Sequence, residues 1–277
     1  MQANCLIGLG SNVGDREAAL RGAFDAIDAL PNVKLLRQSR LYRTAPIGGP
    51  SGQQEFLNAA AVVETQLEPL ALLDKLQRIE NQFGRERRER WSARTLDIDL
   101  LLAGDTVIES PELTVPHPRM SFRRFVLEPS AEIAGEMVHP TIGWSIRELW
   151  EHLDSASDRL VILSPDEALR RDVAELLVER CRGQIVPAPQ SSSGVSQLWP
   201  PTSATWLKMP TQDEVAEVVA DNPKLTIEID LETAVRSAGS RPSGRGPTLA
   251  LKSGDRRAIE AEVMAAVGSV WSGHTVR

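Results

Sequence analysis

Cysteine is scarce in this chain, with two in 277 residues, Cys5 and Cys181. They are too few and too far apart for a disulfide framework or a zinc knuckle, and their scarcity points to a reducing compartment. Long apolar runs are missing as well. No stretch approaches the roughly 20 residues that a membrane span needs, and the N-terminus lacks the pattern of a secretory signal, so a cytoplasmic location without a membrane partner is expected. Net positive charge is also absent. The 31 Lys and Arg face 38 Asp and Glu, a formal charge of −7, which argues against a protein whose main task is to grip nucleic acid. A Walker A pattern occurs nowhere, nor does a kinase glycine-rich loop with its lysine, so any bound phosphates must be held by side chains. Neither internal repeats nor heptads are found.

What is present is an ordinary globular composition, 42% hydrophobic and 25% charged. At a soft scale of roughly 150 residues per domain, the length suggests two domains. The run Cys5 to Leu9, the turn-rich Gly10 to Asp15 and the helix-spaced Leu20, Phe24, Ile27 and Leu30 read as strand, loop and helix. Strands are predicted over 33–45 and 56–65, separated by a Gly- and Pro-rich loop. Leu70, Leu73, Leu76, Ile79 and Phe83 predict an amphipathic helix over 68–83, with Gln77 and Glu80 on one face. A strand over 96–102 puts Leu96, Ile98, Leu100 and Leu102 on one face and Asp97 and Asp99 on the other, and a helix over 145–153 ends the unit near Asp154. Beyond it, a strand at 160–163, a helix over 167–182 and a strand at 185–186 make a βαβ opening. Strands at 205–209, 225–229 and 248–251 and helices over 212–220 and 255–271 complete an α/β unit.

The chemistry concentrates in residues 84–125. Asp97 and Asp99, two apart on a strand, project to one side roughly 6–7 Å apart, a spacing suited to hard divalent cations. Just before them, 84–94 carries five arginines against two glutamates. Metal-binding carboxylates beside guanidinium groups are the combination that phosphoryl transfer requires. Phe56, Trp91 and Phe125 offer flat stacking surfaces, Asn58 an amide for ring hydrogen bonding, and His117 is pinned between two prolines. Taken alone, each of these residues also fits a structural or solvated role.

Seven ordered motifs carry a resemblance. They are Gly8-Leu9-Gly10-Ser11-Asn12, Tyr42-Arg43-Thr44-Ala45-Pro46, Phe56-Leu57-Asn58-Ala59-Ala60, Gln77-Arg78-Ile79-Glu80, Gly84-Arg85, Arg94-Thr95-Leu96-Asp97-Ile98-Asp99 and Val115-Pro116-His117-Pro118. Residues 1–154 thereby resemble the 6-hydroxymethyl-7,8-dihydropterin pyrophosphokinase family. The resemblance implies an α+β fold, a ferredoxin-like three-layer α-β-α N-terminal domain, to which 155–277 adds a smaller α/β domain. It implies transfer of pyrophosphate from ATP to the pterin hydroxymethyl group, with release of AMP, on the route to folate. It also implies two Mg²⁺ ions, held by Asp97 and Asp99. By the same resemblance Arg85 and Arg94 steady the transferring phosphates, and Arg87 and Trp91 close over ATP. Gln77, Glu80, Thr114, His117 and Arg123 form the nucleotide wall. Thr44, Ala45 and Asn58 bond the pterin, and Phe56 and Phe125 sandwich its ring. The chain departs from the family at Ser92-Ala93, where Gly-Pro is common, and at Glu112, where some members carry a basic residue. The rival expectations are a catalytically silent ATP- or pterin-binding protein acting through its C-terminal unit, and an RNA-binding protein using Arg85 to Arg94. The first βα turn of 155–277, Ser164-Pro165-Asp166-Glu167, lacks phosphate-wrapping glycines, and the segment is too short for a dihydropteroate synthase barrel, so a stabilising or oligomerising module is expected there.

Overall fold

The structure, a computed structural model, describes residues 3–47, 54–84, 95–156, 158–187, 204–209, 223–229, 246–252 and 254–271. The N-terminal half runs β1 (Ala3–Ser11), α1 (Arg16–Asp28), β2 (Val33–Gln38), β3 (Tyr42–Thr44), β4 (Phe56–Thr65), α2 (Pro69–Gln82) and β5 (Asp97–Ala103). These strands form an antiparallel sheet in the order β2-β4-β1-β5, with β3 alongside β4. The strand expected over 33–45 is broken at 39–41. Ser39 turns inward there, its Oγ accepting from the Ala60 N–H and its own N–H donating to Ala60 O, both at 2.9 Å.

Alternation along the strands sorts two apolar faces. Cys5, Ile7, Leu9, Ile98 and Leu100 pack with Leu20 and Ile27 of α1 and Leu72 and Leu76 of α2. α1 starts at Asp15, whose carboxylate caps the Ala18 N–H at 3.0 Å, and α2 starts with Pro69 in its first turn, where no helical N–H is lost. Leu70, expected on the apolar face of α2, is 53% exposed, and Leu72 is buried in its place. Leu102 also departs from its expected face. The register moves from Leu6 opposite Leu102 to Ile7 opposite Leu100, so Leu101 is an extra residue in a β-bulge and Leu102 joins Leu101 on the other side.

That other side is covered by two helices, α3 (Arg124–Ala134) and α4 (Ile146–Ser155). A 3-10 turn at Met120–Phe122 precedes α3, and a two-stranded ribbon, β6 (Ile108–Glu109) with β7 (Thr114–Val115), precedes the turn. α3 was not expected from the sequence, where Pro129 inside the segment reads as a helix breaker; the helix buries Val126, Leu127, Ser130, Ala131, Ile133 and Ala134 and leaves Arg124, Glu128 and Glu132, four apart, on its wetter side. α4 opens with a capping box, Ser145 and Glu148 exchanging bonds.

The rest of the chain contributes β8 (Arg159–Leu163), α5 (Glu167–Cys181), β9 (Gln184–Val186), β10 (Ala204–Lys208), β11 (Leu225–Ile229), β12 (Thr248–Leu251) and α6 (Arg256–Trp271). Among the described residues this second sheet has the order β12-β11-β8-β10-β9. The expected βαβ opening is present, but β10 lies antiparallel between β8 and β9, so the two strands are not neighbours. The helix expected over 212–220 lies outside the described residues. One apolar cluster runs from Leu6 and Ala60 of the first sheet through Leu127 and Leu149 to Ile162, Ile227, Ile259 and Val263. No described helix is long and apolar enough to cross a membrane.

Candidate active site

The end of the first sheet where β1 finishes collects most of the residues singled out in the sequence. Asp97 and Asp99 lie on one face of β5, both partly exposed, opposite Gly10 and Gly8 of β1. The two glycines keep this strip low. A Cβ at Gly10 would stand 3.1 Å from Asn58 Oδ1, and one at Gly8 would stand 3.2 Å from Leu101 Cδ1. Asn58 is paired with Gly10 on the far side and with Tyr42, while Phe56 is paired with Thr44. The buried Asn58 donates from Nδ2 to Thr44 Oγ1 at 2.7 Å, which fixes its amide. Thr44 and Phe56 are partly exposed and Ala45 is exposed, at the open edge of this strip.

Beneath β5 lies Glu80, 1% exposed, which accepts from the Ile98 N–H at 2.7 Å. Sequence spacing placed Glu80 on a shared face with Gln77, but only Gln77 retains partial exposure. Glu80 is buried against the one edge of the sheet that carries both aspartates, and its bond falls between them.

A second wall comes from the segment after β7. The His117 N–H donates to Leu101 O at 2.9 Å, seating the segment on β5 directly after a cis Val115–Pro116 bond. The Arg119 N–H donates to His117 Nδ1 at 3.2 Å, so the ring proton resides on Nε2. Burial, then the charges of Arg123 and Arg119, push His117 down to about 3, so the imidazole is neutral at physiological pH. Arg123 is pushed down to about 10 by burial and by Arg119, while the Asp99 and Asp97 carboxylates and Glu262 pull it back, so it stays charged and feels both aspartates. Its guanidinium lies 5.4 Å from the centre of the Phe125 ring, at the start of α3. Thr114 is partly exposed at the end of the small ribbon.

The structure thus brings Asp97, Asp99, Thr44, Phe56, Asn58, His117 and Arg123 to one region, with Phe125 beneath Arg123. Arg85, Arg87, Trp91 and Arg94, and the departure Ser92-Ala93, lie outside the described residues, and Glu112 is exposed. Sequence reading missed two residues here, Arg119 and Glu262. Arg119 adjoins a quoted motif and was legible as a third cation beside His117. Glu262 is 143 positions further on, in α6, and no local pattern marks it.

Two aspartates and no third ligating side chain among the described residues form an open, all-oxygen donor set. Such a set fits Mg²⁺, which keeps waters and substrate oxygens in its shell, better than a zinc or calcium cage.

Comparison with known proteins agrees with this geometry. The family model described as 7,8-dihydro-6-hydroxymethylpterin-pyrophosphokinase (HPPK) matches residues 6–135, which end with α3. A protein of Haemophilus influenzae named 2-amino-4-hydroxy-6-hydroxymethyldihydropteridine pyrophosphokinase is 47% identical over 134 residues, covering 48% of this chain and 83% of the relative. Its namesake in Bacillus subtilis is 46% identical over 131 residues, covering 47% of this chain and 78% of the relative. A crystal structure described as HPPK-DHPS in complex with substrates gives a TM-score of 0.43 at 15% identity, covering 56% of this chain and 44% of that chain. With five-sixths of the Haemophilus relative spanned at nearly one identical residue in two, the chain belongs to the 7,8-dihydro-6-hydroxymethylpterin-pyrophosphokinase family.

Proposed function

We infer that the strip between Asp97/Asp99, Asn58 and His117/Arg123 is where this chain carries out the reaction of its family. The chain transfers pyrophosphate from ATP to the hydroxymethyl group of 6-hydroxymethyl-7,8-dihydropterin, in folate biosynthesis. The carrying observation is the placement of two partly exposed carboxylates opposite two glycines, between an amide already oriented by a hydroxyl and a partly buried imidazole and guanidinium.

In our reading the pterin lies over Gly10. Asn58, Thr44 and Ala45 supply hydrogen bonds, and Phe56 and Phe125 stack on the ring faces. ATP lies along Gln77, Thr114, His117 and Arg123, and the family resemblance assigns Arg87 and Trp91 to its binding as well. Glu80 shapes that wall by fixing β5. The neutral His117 offers its Nε2 proton to a phosphate oxygen without adding a charge, and Arg123 and Arg119 balance the polyphosphate. Asp97 and Asp99 would hold two Mg²⁺ ions, which would supply positive charge to the polyphosphate. The pterin hydroxyl releases its proton to solvent as its oxygen bonds to the β-phosphorus, the bond from that phosphorus to the α-phosphate oxygen breaks, and AMP leaves. Arg85 and Arg94 receive the charge that moves to the leaving group. No covalent enzyme intermediate is needed, so rate enhancement rests on positioning and electrostatics. The strand order β2-β4-β1-β5 with α1 and α2 on one face corresponds to the ferredoxin-like arrangement. We treat 1–154 as the catalytic unit and 155–277 as an α/β unit joined to it.

The test follows AMP release from ATP and Mg²⁺ with and without the dihydropterin. AMP formation that requires the pterin is expected. Tight binding of both ligands without turnover would overturn the reading in favour of a silent binding protein.

A further inference from the structure

The C-terminal unit reaches the nucleotide wall through α6. Arg119 and Glu262 pair at 2.8 Å, with side chains 27% and 11% exposed. Glu262 thereby meets the residue whose backbone N–H holds the His117 ring. Two further contacts bind α6 to the same side of the molecule. Arg124, next to Arg123, donates from Nε to Val270 O at 3.1 Å. Gly268 faces the loop after Thr44-Ala45, where an added Cβ would stand 3.2 Å from Ile47 Cγ2. A narrow cleft between Arg119, Arg123 and the α6 residues Glu262, Ala265 and Ser269 separates helix and wall. The ion pair has a specific consequence. Arg119 and Arg123 are like charges acting on each other, a repulsion that pushes the Arg119 side chain away from the wall. A carboxylate from α6 offsets that repulsion and gives Arg119 one place to sit.

We propose that Glu262 is a positioning residue for ATP, acting through Arg119 to hold the His117–Arg123 wall, and that the C-terminal unit is therefore part of the active site. Residue 262 lies far beyond the family match at 6–135, so this would be a property of this chain's own extension. The inference rests on the reading that His117 and Arg123 bind ATP.

The experiment measures steady-state kinetics of the full chain for wild type, H117A, E262Q, R119Q and the E262Q/R119Q double variant, with melting temperatures to verify folding. Glu262→Gln is expected to raise KM for ATP roughly five- to tenfold, the scale for a residue that acts on a site through another, while leaving KM for the pterin in place. In the Arg119→Gln background it should add nothing further. A rise in both KM values together, an equal effect of E262Q in both backgrounds, or no effect in a folded protein would overturn the proposal. His117→Ala separates the two levels. If H117A leaves KM for ATP unchanged, the ATP-site reading itself has failed. If H117A raises it and E262Q does not, only the role of Glu262 has failed.

Discussion

Asp97 and Asp99 are half-exposed, so removing their charge should touch function far more than stability. Asp97→Asn and Asp99→Asn are each expected to lower pterin-dependent AMP formation by about a hundred- to a thousandfold, the scale for losing one preorganised charge contact. Their unfolding free energies are expected to fall by no more than about 1 kcal/mol, the scale of partly exposed charge contacts such as theirs with Arg123. Parallel activity and denaturant titrations check both halves. His117 carries a pH expectation of definite sign. Its folded-state value lies at about 3, below the ordinary 6.5, because burial and two guanidinium groups disfavour the imidazolium. Between those values the unfolded chain binds a proton that the folded chain does not, so stability falls as pH drops through that window and is unaffected by this group above it. Urea unfolding from pH 7 to pH 4 should show a shallower acid loss in His117→Gln than in wild type.

At the scale of elements, β5 is the last strand of the first sheet, its edge covered by the His117 segment, and Glu80 of α2 satisfies its Ile98 N–H from below. Glu80→Ala would leave that buried donor unpaired and is expected to cost about 2–3 kcal/mol. It should also reduce activity, since the strand it frees carries both aspartates. Glu80→Gln keeps an acceptor and should cost less, and thermal unfolding of the two variants side by side checks the order. α1 and α2, each with one wet face, were legible from helical spacing, and β1 and β4 from short apolar runs bounded by turn residues. α3 was not, because Pro129 in its middle reads as a breaker, although Arg124, Glu128 and Glu132 keep the four-residue spacing of a helix. The bulge at Leu101 was equally invisible, since the residues Leu100-Leu101-Leu102 read as an unbroken apolar run whichever way each one points.

For the whole molecule, the apolar cluster shared by both sheets is decisive. Leu127, Leu149 and Leu153 in 1–154 pack with Leu160, Ile162, Ile227 and Val263 beyond it. Burying each such side chain contributes about 1.5–3 kcal/mol, so a fragment ending at Asp154 would expose a face of α3 and α4 that the full chain covers. Expression of residues 1–154 alone is expected to give a protein that aggregates or melts well below the full chain, which light scattering and calorimetry would register. A fragment with unchanged melting and activity would show that the catalytic unit stands without its extension.

The amino-acid sequence by itself determined the ordered motifs, the aspartate pair on its strand, the alternation and helical spacing of most elements, and through them the family. These are local properties, written in residues a few positions apart. Tertiary structure decided what depends on distant residues. Glu80 under β5, β10 between β8 and β9, the shared core across Asp154 and Glu262 beside Arg119 all join segments whose sequence separation carries no periodic signal. Their pairing was set by which buried polar groups and apolar faces had to find partners when the chain closed.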